Sequence, residues 1–151
     1  MAMEIRKKVD KLLGQILVER GMLSNTQLKE VLENQETAGG LIGDIIVKLG
    51  FAKEEDIAHC LSIQYGFTFL PLENYEISLS IATLISEHLC SHYCLIPIDK
   101  IDNTLTVAMA NPLNIQAIDD LEDITHCDIQ IFVSTPSDIR NCIRRIFGKE
   151  A

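Results

Sequence analysis

Apolar positions along residues 12–64 follow one arrangement written twice. The first copy, 12–35, places Leu13, Ile16 and Leu17 ahead of Gly21, then Leu28, Val31 and Leu32; the second, 41–64, places Ile42, Ile45 and Ile46 ahead of Gly50, then Ile57, Cys60 and Leu61. Intervals of three and four put each run on one face of a helix, and a glycine directly after the run marks a left-handed helix end. Ser24 followed by Gln27 is a capping-box signature for a second helix. At an offset of 29, Leu12/Leu41, Gly14/Gly43, Ile16/Ile45, Val18/Val47, Gly21/Gly50, Leu32/Leu61 and Gln35/Gln64 are identical. Two copies are too few for a solenoid, so the pattern predicts a four-helix unit built from a pseudo-symmetric pair.

Two residue types in the repeat admit two readings. Glycine inside a helix costs about 1 kcal/mol relative to alanine, so Gly14 and Gly43 suggest helix starts where backbone must be approached closely. That approach is either helix packing or a ligand. Gln35 and Gln64 end the copies as exposed helix termini or as amides that read a polar edge.

After Tyr65-Gly66 the period changes. Residues 67–70 read as a short strand ended by Pro71, and 80–93 as a helix broken near Ser86. Residues 94–98 and 104–109 read as strands joined by a polar turn through 99–103. A helix over about 114–124, a strand over 128–133 and a final helix opened by Thr135-Pro136-Ser137-Asp138 and stopped by Gly148 complete the chain. The expected class is α+β: a helical tandem-repeat subdomain over 1–66 and a small α/β sandwich-like subdomain over 67–151.

The 151 residues are 47% hydrophobic, with no apolar run near the ~20 residues that cross a bilayer and no signal-peptide layout. Five cysteines, an odd number, read as reduced thiols in a cytosolic protein. Residues 1–64 carry 8 basic and 10 acidic side chains, whereas 65–151 carry 5 and 12, net −7. Such an acidic chain is a poor partner for nucleic acid, which calls for clustered Lys and Arg. Its one basic cluster, Arg6, Lys7, Lys8 and Lys11, reads first as a solvated helix face. The sequence has no GxxxxGK[ST] loop, no HExxH and no GxSxG, so no catalytic residue is assigned and the chain is expected not to be an enzyme. His88, Cys90, His92 and Cys94 alternate like candidate zinc ligands, beside His59-Cys60 and His126-Cys127. On a helix only His88 and His92 share a face, and on a strand the four would spread over ~20 Å, so no metal is expected.

The tandem pattern resembles the motif of the MshEN family, the N-terminal domains of ATPases that drive type II secretion and type IV pilus assembly. That motif is 24 residues long, occurs twice with a five-residue spacer (here 36–40) and binds cyclic di-GMP. The run Leu105-Thr106-Val107-Ala108-Met109-Ala110-Asn111-Pro112 resembles a further family segment, with Asn111 in place of its usual Asp. One departure stands out: the family motif begins with Arg, and this chain has Leu12 and Leu41 there. The resemblance implies a ligand set of Leu13, Gly14, Gly21, Leu28, Leu32 and Gln35, with Ile42, Gly43, Gly50, Ile57, Leu61 and Gln64 from the second copy, and Asn111. Glycine N–H groups would approach phosphate oxygens, the aliphatics would pack on guanine faces, and the glutamines would pair with base edges. Each missing arginine contact removes roughly 1.5–3 kcal/mol at most, and Arg6, Lys7, Lys8 or Lys11 could replace its charge. The resemblance thus implies first a non-catalytic docking or regulatory domain that links a motor to the cytoplasmic part of its inner-membrane platform protein, peripheral to the membrane and without inserting into it. The ATPase core is the other implied partner. The alternative is a cyclic di-GMP sensor, with no other cofactor.

Overall fold

The computed structural model describes residues 13–40 and 42–148. The expectations for Leu12, Leu41 and the basic cluster Arg6, Lys7, Lys8 and Lys11 lie outside the described residues. Helix α1 is described over 13–19, and α2 (Asn25–Ala38), α3 (Ile42–Lys48) and α4 (Glu54–Tyr65) follow. These are the helices expected from the doubled pattern.

The C-terminal ends of α1 and α3 close with the same pair of bonds. The Gly21 N–H donates to the Val18 carbonyl at 3.0 Å and the Met22 N–H to Leu17 at 2.9 Å; Gly50 donates to Val47 at 3.0 Å and Phe51 to Ile46 at 3.1 Å. This pairing is a Schellman cap, which needs a residue in the left-handed region. Gly21 and Gly50 supply it at φ +77° and +78°. Ser24 caps α2 with the full reciprocal box: its hydroxyl accepts from the Gln27 N–H at 3.1 Å, and its own N–H donates to Gln27 Oε1 at 2.9 Å.

The chain divides into two compact units on either side of the Cys60–Leu61 bond. In the second, β1 (Thr68–Phe69), β2 (Leu95–Ile101), β3 (Thr104–Met109) and β4 (Asp128–Val133) form one sheet in the order β1-β4-β3-β2. The β2–β3 pair is an antiparallel hairpin, while β4 runs parallel to both β3 and β1. Four helices accompany it: α5 (Leu79–Ala82), α6 (Glu87–Tyr93), α7 (Ile115–Thr125), which makes the parallel crossover from β3 to β4, and α8 (Pro136–Phe147). Leu95, Ile96, Leu105, Met109, Leu121 and Ile139 are fully buried in its core. Pro97 sits on the edge strand β2, where a missing N–H is tolerated, and the register shifts between Pro97 and Asp99.

Particular boundaries moved for local reasons. The turn expected over 99–103 is only Asp102-Asn103, because Ile101 pairs with Thr104 and Asp102 takes φ +51°. Ser86 does break the helix near it, its hydroxyl accepting from the Leu89 N–H as the cap of α6. The chain after β1 is pinned to its neighbours: Leu70 N–H donates to Val133, Ser134 Oγ donates to the Leu70 carbonyl at 2.7 Å, and Leu72 N–H donates to Asp138 Oδ2 at 3.2 Å.

Candidate functional site

The expected ligand residues fall into three environments. Leu13, Ile42, Ile57 and Leu61 are buried, so their bulk is committed to the protein interior in this conformation. Leu28 and Leu32 are half-buried on α2 and keep apolar surface available. Gly21, Gly50 and Gln64 are exposed.

The paired glycines of the helices differ. A methyl group on Gly14 would collide with Leu28 Cδ1 and lie 3.4 Å from Ile42 Cδ1. Gly14, Leu28 and Ile42 are thus brought together, and the close approach at Gly14 is helix packing across the two copies. At Gly43 nothing lies within 4 Å of an added methyl, and the residue is only half-buried. Its surroundings are open where those of Gly14 are filled.

The polar candidates have structural work as well. Gln35 Nε2 donates to the Gly40 carbonyl at 3.1 Å, tying the end of α2 to the connection that follows. Asn111 Oδ1 accepts from the Leu113 N–H at 3.1 Å, a side-chain turn that leads into Asn114, the cap of α7. Two hollows were not anticipated. One is lined by Val47, Gly50, Phe51, Ala52, Lys53, Glu54, Glu55 and Asp56 at the α3–α4 turn; the other by Tyr75, Glu76, Ile77, Leu79, Arg145 and Ile146. The acidic run after Gly50 was the available signal for the first. No local pattern foretold the second, which joins segments about seventy residues apart.

His88 and His92 stack at 6.2 Å between ring centres on the exposed side of α6, while Cys90 and Cys94 are buried. Burial pushes the Cys90 thiol up to about 12, with Glu87 adding to the shift, so the thiolate that metals bind is disfavoured. Among the described residues no group of three or more His, Cys, Asp and Glu is placed to hold a metal ion. Likewise among them, no helix is long and apolar enough to cross a membrane.

This fold has known counterparts. The MshEN domain family matches residues 65–151, more than half of the chain, and the chain belongs to that family. It is 31% identical over 138 residues to the type IV pilus assembly ATPase PilB of Myxococcus xanthus, covering 91% of this chain and 24% of that protein. With PilB of Thermus thermophilus it shares 30% over 130 residues, 85% of this chain and 15% of the relative. The chain therefore spans about a quarter or less of the curated relatives it matches. Among solved structures, MshE with cdg is similar at TM-score 0.71 and 24% identity, covering 89% of this chain and 97% of that one. The N-terminal domain of XpsE is similar at TM-score 0.72 and 20% identity, covering 91% and 94%. At these identities the two structures speak for the fold.

Proposed function

We propose that this chain is a non-catalytic docking and regulatory domain of a type II secretion or type IV pilus ATPase, joining the motor core to the cytoplasmic part of its inner-membrane platform. The observation that carries this reading is membership of the MshEN family, together with the 31% identity to the pilus assembly ATPase PilB of Myxococcus xanthus over 91% of this chain. The absence of a phosphate-cradling loop in the sequence supports a role without catalysis. The place of action would be the cytoplasmic side of the membrane, reached through a partner. The test is calorimetric binding of the purified chain to the cytoplasmic domain of the platform protein, with an ATPase assay alongside. Saturable binding without hydrolysis is expected; hydrolysis, or no binding, overturns the reading.

A second reading has its own support. Gly43, in the first turn of α3, has nothing within 4 Å of an added methyl, and the fold is shared with MshE, whose structure is with cdg. Cyclic di-GMP has two equivalent halves, and two copies of one motif can offer each half a like surface. The ligand would use Gly43, the surface of Leu28 and Leu32 and the amide of Gln35. Titration of the parent and of a Leu12→Arg/Leu41→Arg variant with cyclic di-GMP tests it: binding gained or strengthened by the arginines is expected. A folded variant that ignores the ligand, beside a parent that also does, removes the sensor and leaves docking.

A further inference from the structure

The second unit distributes its charge unevenly. Among its described residues there are eleven carboxylates and four Lys or Arg, and three of those cations, Arg140, Arg144 and Arg145, are on α8. Arg144 and Arg145 are exposed on its last turn, yet among the described residues neither donates to a carboxylate. Arg144 Nη1 donates to Asn141 Oδ1 at 3.2 Å, and Arg145 Nη2 to Cys142 Sγ at 3.0 Å, an amide and a thiol of their own helix. In a unit with carboxylates to spare, the planar forks of these two guanidinium groups are left for an outside acceptor.

Arg145 also lines a hollow with Tyr75, Ile77 and Leu79. Leu79 is 62% exposed, at the start of the short helix α5. The wall facing α8 is held by the chain itself, since Leu72 N–H is anchored on Asp138 and the Cys142 thiol on the Leu72 carbonyl. The hollow therefore sets Tyr75, Ile77 and Leu79 beside Arg145, and Arg144 precedes Arg145 on the exposed last turn of α8.

We infer that this hollow is the docking site for an acidic segment of a partner protein, one bearing an apolar side chain between carboxylates. The inference rests on the docking reading above and names its surface. The carboxylates pair with Arg144 and Arg145, and the apolar side chain covers Leu79. Glu76, also in the lining, opposes an acidic guest and limits its affinity. Exposed ion pairs are individually weak, so affinity depends on two forks acting with the apolar contact and declines as salt screens the charges.

The test uses the full chain, isotope-labelled for amide resonances, and a synthetic peptide with glutamate pairs flanking a leucine; the same peptide with lysine for glutamate is the control. Shifts confined to 75–79 and 144–146, reversed by high salt and absent with the lysine peptide, are expected. Arg144→Glu with Arg145→Glu should weaken binding at least about tenfold, Arg144→Lys with Arg145→Lys less, and Glu76→Gln should tighten it. No shifts, shifts elsewhere, equal response to the lysine peptide, or unchanged affinity in the glutamate variant each overturn the assignment. So does self-association that produces the same shifts without peptide, since the occupant is then a second copy. The Arg144→Glu/Arg145→Glu variant is also titrated with the platform domain. Undiminished binding there retains docking and discards this surface, whereas failure of the parent to bind removes the docking reading itself.

Discussion

The two copies of the repeat share their backbone and differ in what covers it. Their Schellman bonds agree within 0.2 Å, and their cap glycines within one degree of φ. Burial nevertheless trades places along them. In the first copy the leading helix is the deeper, with Gly14 and Ile16 buried where Gly43 and Ile45 are half-buried. In the second copy it is the trailing helix, with Ile57 and Leu61 buried where Leu28 and Leu32 are half-buried. Helix ends are fixed by local chemistry, which duplication preserves. Covering is fixed by which side chain arrives from elsewhere, which duplication does not preserve.

The largest effects should fall where the copies agree. Leu17 and Ile46 occupy one position of the motif and are both fully buried. Truncating either to alanine leaves a cavity in a packed interior and should cost about 2–5 kcal/mol. Denaturant unfolding followed by circular dichroism checks this. A cost at one position several times that at the other would show that the shared pattern is not a shared core.

The glycines should break the equivalence with opposite signs. Gly14→Ala brings a methyl group into Leu28 Cδ1. Leu28 is half-buried and its branch can swing, so the expected loss is about 1–2 kcal/mol, low in the range for overpacking. Gly43→Ala meets open space inside α3 and should gain up to about 1 kcal/mol from helix propensity. Matching signs in a thermal melt would refute the asymmetry. Under the sensor reading, Gly43→Ala should also weaken cyclic di-GMP binding while stabilising the fold, a combination packing alone does not produce.

That pair of glycines also marks how far sequence could lead. Gly21, Gly50, Ser24 and Thr135 were legible because a cap is decided by a few adjacent residues, and each makes or ends the helix expected of it. The α+β class was legible because the period changes after Gly66. Gly14 and Gly43 read identically, since nothing beside either one encodes Leu28 crossing over the first. Asn111 entered the expected ligand set through the family segment, and its spacing did not announce the local turn that its side chain also closes. The hollow beside Arg145 depends on a contact between distant segments, which spacing does not report.

The helix starts give a smaller contrast. Copy one uses the Ser24 box; copy two puts Lys53 there, its carbonyl accepting the Ile57 N–H, and follows it with Glu54, Glu55 and Asp56. The second solution sets carboxylates against the positive end of the helix dipole in place of a side-chain cap. Ser24→Ala should therefore cost about 1 kcal/mol and Lys53→Ala almost nothing, while Lys53→Ser should gain about 0.5–1 kcal/mol. Equal losses for the two alanine variants in a denaturation series would mean that Lys53 caps α4 in its own right.

The smallest effect separates the copies by pH. Val31 and Cys60 hold equivalent buried positions, and only the second can titrate. Burial raises the Cys60 thiol pKa, and the charge of Arg20 offsets part of that rise. Below the ordinary thiol range the folded and unfolded forms both keep the proton, so the contribution to stability is fully present. Above it the unfolded thiol ionises first while the folded one stays protonated, and stability falls as pH rises. Cys60→Val gives copy two the side chain of copy one and removes this dependence. From about pH 8 to about pH 10, the parent's Tm should drop further than the variant's. Buried Cys90 also titrates high, but it is common to both proteins and cancels in the difference. Parallel Tm curves would show that Cys60 ionises alike in both states, and the two copies would then be equivalent in charge as well as in backbone.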